Sequence, residues 1–257
     1  MSERMIELNY KKMGSGQPMI ILHGLFGSLD NWMTLGKKFS ERHEVFLVDQ
    51  RNHGQSEHTD EFSYDLLADD MRDLIQKENM VDPILVGHSM GGKTIMNFAL
   101  RHRGMADKLI VVDAAPKKYP VHHHTIIQAL QSLDFDTLSS RGQVDEKLSA
   151  FIPEPGVRQF LAKSIYWKNQ HTLDLRFNLD SLARHIESIS GWDLNEYNEH
   201  IPALFIRGGK SNYVSANDSS VDDHFGNAEI RTIENAGHWV HAEKPTELLE
   251  MVQSFTS

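Results

Sequence analysis

The sequence has no cysteine among its 257 residues. This absence excludes disulfide bonds, thiolate-bound zinc, iron–sulfur clusters and a cysteine nucleophile. No apolar run approaches the ~18 residues that cross a bilayer, and the first residues lack the apolar region of a signal peptide. We therefore expect a cytoplasmic protein without a membrane span.

Basic residues are in the minority: 26 Lys and Arg stand against 36 Asp and Glu, for a formal net charge of −10. Since the basic residues are scattered, we expect no surface that follows the phosphates of a nucleic acid. The net charge does not exclude a small acidic ligand, because the electric field of a few nearby basic residues can oppose it. We expect a small-molecule partner, and the pattern carries no signal for an oligomeric state.

Short apolar runs alternate with longer amphipathic stretches in the first hundred residues. This alternation is typical of a parallel sheet covered by helices on both faces. The predicted strands are residues 19–22, 45–48, 84–86, 109–112, 203–206 and 229–233. The predicted helices of this part are residues 31–42, 64–78 and 91–101, with a last helix over 246–255.

The pattern changes after Pro116, because residues 119–197 contain helical periods and no strand-like run. These periods are 125–133, 158–165 and 173–189. We therefore predict an α/β core formed by residues 1–116 and 198–257, with an inserted helical cap over residues 117–197.

Two smaller features complete this organisation. Residues 5–10 begin a hairpin-like opening that turns at residues 14–16, and we expect it at one edge of the sheet. The histidine run at residues 122–124 begins a helical stretch, where adjacent side chains point in different directions. We therefore expect a solvated surface run there, not a metal site.

A Gly-x-Ser-x-Gly pattern spans residues 87–91, after a predicted strand and before a predicted helix. A serine at the apex of such a turn adopts strained backbone angles, and the glycines let strand and helix close without a clash. The turn would lift Ser89 clear of the sheet. The alternative is a tight glycine turn that serves packing only.

A serine nucleophile needs a base, and a histidine on a late loop after a strand suits that role. His238 fits, because it follows a strand and a turn of small residues; His241, one helical turn on, is expected to be a neighbour. The glycine-rich loop at residues 23–27 also ends a strand. There the N–H groups of Leu25 and Met90 would form a two-donor oxyanion hole.

These motifs resemble the α/β-hydrolase superfamily, in its order and over nearly the whole chain: His23-Gly24, residues 49–56, residues 87–91 and Gly237-His238. Residues 207–215 and 237–245 are most similar to the YbfF-type bacterial esterases. The resemblance implies an α/β fold with a mostly parallel eight-stranded sheet, helices on both faces and an inserted helical cap. It implies no metal and no organic cofactor.

The chain departs from the family at the acid of the catalytic triad. Most members carry that acid at the position of Ser211, which cannot stabilise an imidazolium by charge. Asp113 ends the strand expected beside the strand of Ser89, so we predict that it orients His238. Asp49 ends a strand on the far side, and the alternative role of Asp113 is to cap the turn before Pro116.

Other carboxylates near that loop are expected to form a solvated acidic face: Asp218, Asp222 and Asp223. Aromatic residues of the cap are expected to divide between an apolar acyl pocket and the cap's own core: Phe135, Phe151, Phe160, Tyr166, Trp167 and Phe177. Three lysines could meet the phosphates of coenzyme A, although lysines that flank a cap are more often solvated: Lys117, Lys118 and Lys163.

The expected function is hydrolysis of carboxylic esters or acyl thioesters of short to medium acyl chains. It would proceed through a triad of Ser89, His238 and Asp113 and an acyl-enzyme. A carbon–carbon bond hydrolase or a cofactor-free oxidoreductase of the same fold is one alternative. A non-catalytic ligand-binding protein is another.

Overall fold

The computed structural model describes residues 6–121 and 123–257. Its strands are β1 Tyr10–Gly14, β2 Gln17–Leu22, β3 His43–Val48, β4 Ile84–His88, β5 Lys108–Val112, β6 Ile165–Trp167, β7 Leu173–Leu175, β8 Ala203–Gly208 and β9 Ala228–Ile233. Its helices are α1 Met33–Phe39, α2 Tyr64–Lys77, α3 Met90–Arg101, α4 His124–Gln131, α5 Arg141–Ser149, α6 Pro155–Lys163, α7 Leu179–Arg184, α8 Ile186–Ser190, α9 Ser219–Asp222, α10 Val240–Glu243 and α11 Pro245–Thr256.

The main sheet has the order β1-β3-β2-β4-β5-β8-β9, and only β1 runs antiparallel to its neighbour. The α/β class and the six predicted strands are confirmed. Within the described part of the chain this sheet has seven strands where eight were expected. Residues 6–9, in front of β1, are irregular, and residues 1–5 lie outside the described part.

The opening does not form the expected hairpin. The chain turns at Gly14 and Gly16 as predicted, but β1 pairs with β3, with Tyr10 opposite Val48. Strand β3 therefore lies between β1 and β2, and β1 is the edge strand. A turn signal fixes a local change of direction but not the strand that the chain then meets.

The central strands, from β3 to β8 in the sheet order, are buried on both faces, and alternate residues enter different cores. In β2, Ile20 and Leu22 pack with residues of α2 and α3 on one face. Met19 and Ile21 pack on the other face with residues of α1 and α11. This period of two explains why the central strands are continuous apolar runs.

Residues 117–197, the cap segment, contain α4 to α8 and the short antiparallel pair β6 and β7. The expectation of no strand there was wrong: Leu173 and Leu175 are buried while Asp174 between them is only half-buried. Three residues are too few for an alternating pattern to stand out beside the helical periods. Where one helix was predicted over residues 173–189, the structure has β7 followed by α7 and α8.

The cap segment shares a core with the loops of the α/β part. Leu25, Phe26 and Met90 belong to the same buried cluster as the cap's apolar residues. Ser164 Oγ donates a hydrogen bond to the carbonyl of Phe26 (2.7 Å), and the Tyr64 hydroxyl donates to that of Ile189 (2.7 Å). The cap segment is thus bonded to the loop after β2 and to the start of α2. Among the described residues, no helix combines the length and apolarity needed to cross a membrane.

Substitution of Gly87 should destabilise the fold, because a Cβ there would lie 2.3 Å from the carbonyl oxygen of Gly91. We expect Gly87→Ala to lower the free energy of unfolding by about 2 kcal/mol or more. Gly156→Ala is the matched control, since its Cβ would meet nothing within 4 Å. Urea unfolding measures both; equal stability of Gly87→Ala and wild type would contradict the expectation.

Candidate active site

Ser89 lies between β4 and α3, with φ 53° and ψ −116°. Few non-glycine residues adopt this conformation, which places the side chain at the apex of the turn. Neighbouring glycines are required by close approach: a Cβ on Gly91 would lie 2.6 Å from the carbonyl oxygen of His23. The hydroxyl of Ser89 lines two adjoining cavities at this edge of the sheet.

Three predicted residues form a continuous chain of hydrogen bonds. Ser89 Oγ lies 3.0 Å from His238 Nε2, and His238 Nδ1 lies 2.7 Å from Asp113 Oδ2. With Nδ1–H donating to the carboxylate, Nε2 is left to accept the serine proton. The arrangement has the connectivity of a nucleophile, a base and an orienting carboxylate.

Asp113 follows β5 and is fully buried. Its Oδ1 accepts a hydrogen bond from the N–H of Gly208 (3.0 Å), and its Oδ2 accepts one from Ser211 Oγ (2.5 Å). Both donors come from the end of β8, the neighbour of β5 in the sheet. Ser211, which stands where most family members carry the acid, is therefore a direct partner of the carboxylate. Its sequence position was noticed, but this contact was not predicted.

The other carboxylates lie elsewhere. Asp49 accepts hydrogen bonds from the N–H groups of Leu29 and Gln55 at the end of β3, on the far side of β2. Asp218 does not lie on a solvated face as expected: it is buried and pairs with Lys117 at 2.5 Å. Lys117 lies in the loop after β5, and this ion pair already occupies its ammonium group.

Neighbouring rings fix the position of His238. Tyr213 stacks on it, with 4.0 Å between ring centroids and an interplanar angle of 18°. His88 Nε2–H donates to the backbone carbonyl of His238 at 2.8 Å. His241 is buried behind His88, with 4.6 Å between their rings, and stacks on Trp32. Burial lowers the pKa of His88 well below its usual value, so His88 is a neutral donor.

The predicted oxyanion donors belong to two elements beside Ser89. Leu25 and Met90 line the same cavity as Ser89. Met90 is the first residue of α3, where backbone N–H groups have no acceptor within the helix. Phe26, next to Leu25, has φ 61°. Its N–H donates to His53 Nε2 (3.2 Å), which holds the loop in that conformation.

Two buried histidines brace this loop in their neutral forms. His53 Nδ1–H donates to the carbonyl of Arg51, and His23 Nδ1–H donates to that of Gly24, which leaves each Nε2 as an acceptor. His23 Nε2 accepts from the N–H of Gln50 at 3.1 Å. Burial lowers the pKa of His53 to about 3 and that of His23 to about 4.

Two cavities meet at Ser89. Leu25 and His123 also line both, so His123 does not belong to a solvated run as predicted; His124 is exposed, and His122 lies outside the described residues. Of the six cap aromatics, Phe160 lines one cavity. The sequence did not single out Tyr213 or Lys93, which line the other.

Comparison with known proteins places this site in a family. A model of the alpha/beta hydrolase fold matches residues 17–149. The chain belongs to the α/β-hydrolase fold family. It is 36% identical over 246 residues to the sn-1-specific diacylglycerol lipase ABHD11 of Mus musculus, with 92% of this chain and 80% of that protein covered. It is 36% identical over 245 residues to Esterase YbfF of Escherichia coli (strain K12), with 94% and 93% covered.

A solved structure described as a marine microorganism esterase is similar over 97% of this chain and 99% of its own, at 38% identity and a TM-score of 0.94. The resemblance to YbfF-type esterases inferred from residues 207–215 and 237–245 is therefore confirmed. These relatives are named esterases and lipases. This α/β-hydrolase is an ester-hydrolysing enzyme.

The buried histidines predict acid sensitivity of the fold. His23 and His53 are neutral in the folded chain, with pKa values of about 4 and 3, whereas an unfolded histidine takes up a proton below about 6.5. Their contribution to the free energy of unfolding is therefore complete above pH 6.5 and is lost as the pH falls toward 4. We expect urea unfolding to give a free energy at least about 2 kcal/mol lower at pH 5 than at pH 6, since the buried His88 and His241 act in the same direction. A constant free energy over this interval would contradict the expectation.

Proposed function

We propose that the chain is a serine hydrolase that cleaves carboxylic esters of short to medium acyl chains through an acyl-enzyme. The observation that carries the proposal is the unbroken chain of hydrogen bonds from Ser89 through His238 to the buried Asp113. The strained turn at Ser89 and the position of Leu25 and Met90 beside it support the same reaction.

The proposed reaction has two steps. In the first, Ser89 Oγ attacks the ester carbonyl while His238 Nε2 takes its proton, and the N–H groups of Leu25 and Met90 stabilise the oxyanion. The imidazolium then gives that proton to the departing alkoxide, which leaves as the alcohol. In the second step, a water attacks the acyl-enzyme with His238 as base, and the acid and free Ser89 are released. Asp113 keeps Nδ1 protonated and stabilises the imidazolium.

Esters are favoured over coenzyme A thioesters as substrates. Lys117, one of the lysines considered for phosphate binding, is already paired with Asp218. The relatives named diacylglycerol lipase and esterase also support ester cleavage. Carbon–carbon bond cleavage and cofactor-free oxidation have no such support. A purely ligand-binding protein would need no base aligned with Ser89. Cytoplasmic location and a division into core and cap at residues 117–197 stay predictions.

Ser89→Ala should abolish ester hydrolysis, since the nucleophile is lost while little buried volume changes. We expect less than a thousandth of wild-type kcat/KM on p-nitrophenyl butyrate, with an unchanged urea midpoint. Ser149→Ala, in an exposed turn of α5, is the matched control and should retain activity. A fluorophosphonate should label wild type and Ser149→Ala at Ser89. Residual turnover of Ser89→Ala within tenfold of wild type would overturn the assignment.

Asp113→Asn should lower kcat by about 10³- to 10⁴-fold, because the amide cannot hold the imidazole in the required tautomer or stabilise its charge. KM should change little, since the carboxylate acts on the charged transition state. Steady-state kinetics on the same ester measure both. A fall in kcat of less than about tenfold, or roughly 1.4 kcal/mol, would show that Asp113 only caps its turn.

A carboxylate at position 211 should partly rescue that variant. Ser211 Oγ lies 2.5 Å from the Asp113 oxygen that contacts His238, so an aspartate there can approach the imidazole. We expect Asp113→Asn with Ser211→Asp to recover kcat at least tenfold. Asp113→Asn with Ser211→Asn has the same side-chain length without the charge and should recover nothing. Equal recovery in both would contradict the electrostatic reason.

A further inference from the structure

The path of the proton in the proposed reaction indicates which part of the substrate each of the two cavities at Ser89 binds. The departing alkoxide must receive its proton from His238, so the alcohol part of the substrate lies on the side of that residue. His238 and Trp239 line one cavity and not the other. We call the first the alcohol cavity and the second the acyl cavity.

The two cavities differ in chemistry. The alcohol cavity has an apolar wall formed mainly by the cap segment: Phe26, Ile126, Val157, Phe160, Leu161 and Trp239. The acyl cavity also has a mostly apolar lining, but it contains one cation, Lys93, together with Tyr64 and Tyr119. A substrate that fits both has an apolar alcohol and an acyl chain that ends in a group able to bind a cation.

Lys93 is the unusual residue of this pair of cavities. Its side chain is 3% exposed, although lysine is rarely buried without an ion-pair partner. Its Nζ donates to the carbonyls of Ser190 (2.9 Å) and Gly191 (2.7 Å), at the end of α8. The ring of Tyr119 lies 4.6 Å from Nζ and that of Tyr64 5.8 Å. Two of the three N–H donors are thus used.

The charge of Lys93 is only partly compensated. Among the described residues, no carboxylate forms an ion pair with it, and Asp193 acts on it from a greater distance. The neighbouring hydroxyls are engaged: that of Tyr64 donates to a backbone carbonyl, and that of Tyr119 accepts from the N–H of Ala115. Burial lowers the pKa of Lys93 to about 7. An apolar residue would fill this space without the cost of burying a charge.

Lys93 lies close to Ser89 in the chain. It is four residues after Ser89, in the first turn of the helix that Ser89 precedes, and its backbone N–H donates to the carbonyl of Ser89 at 3.0 Å. Both residues line the same cavity. We therefore take the acyl chain that joins the reacting carbonyl to the ammonium to be a short one.

We propose that the acyl cavity binds a carboxylate at the far end of a short acyl chain, with Lys93 as its cationic partner. The preferred substrates are then half-esters of short dicarboxylic acids with an apolar alcohol. This inference rests on the proposed ester hydrolysis and names its substrate class.

The test compares two benzyl esters of equal shape at pH 7. Monobenzyl succinate carries the carboxylate, and benzyl 4-methylpentanoate has two methyl groups in place of its oxygens; released benzyl alcohol is measured by chromatography. We expect wild-type kcat/KM to be at least tenfold higher for the half-ester. Cleavage of neither ester would count against the proposed function itself, whereas preference for the neutral ester would overturn only the role of Lys93.

Two variants separate the charge from the structure that it supports. Lys93→Met removes the ammonium and should lower the ratio of the two kcat/KM values at least tenfold; the ratio does not depend on how much of the variant is folded. Ser164→Ala removes another hydrogen bond between the cap segment and the α/β part, lines neither cavity and keeps the charge, so its ratio should stay within threefold of wild type. An unchanged ratio in Lys93→Met, or an equal fall in both variants, would show that Lys93 only holds the cap segment.

Discussion

The site depends on the hydrogen bond between His238 and the buried carboxylate of Asp113. A carboxylate without exposure to water is costly unless its oxygens are bonded, and here both are: Gly208 donates to one, and Ser211 and His238 donate to the other. The parallel pairing of β5 with β8 supplies two of those donors. The sheet therefore holds Asp113, Asp113 bonds His238, and His238 faces Ser89.

Three strained backbone positions lie just beyond the carboxyl ends of neighbouring strands. Phe26, Ser89 and Asp113 follow β2, β4 and β5, and all three have positive φ values near 50–60°. Such conformations cost ~1–3 kcal/mol each and persist only where the surroundings fix them. The bonds from Ser89 N–H to Val112 and from Asp113 N–H to Ile206 continue the ladder of the sheet beyond the strands. Strand pairing thus keeps the strained residues in place.

Local signals predicted much of this architecture. The central strands are apolar runs buried on both faces, and Ser89 and His238 lie in short motifs at strand ends, so local sequence was sufficient. To propose a role for Asp113, the additional knowledge was needed that its strand, β5, neighbours β4. The pairing of β1 with β3 was not predictable, because no local feature of residues 10–14 states which strand they will meet.

Lys93 also shows that local sequence does not reveal which distant residues a side chain will meet. It belongs to an amphipathic helix, α3, in which a lysine is ordinarily expected on the solvated face. Distant residues of the cap segment bury it: its partners Ser190 and Gly191 are 97 and 98 residues away in sequence. Burial turns an unremarkable helix position into a cation beside Ser89. The cap segment therefore contributes to the chemistry of the site, since it buries the lysine that lines the cavity beside Ser89.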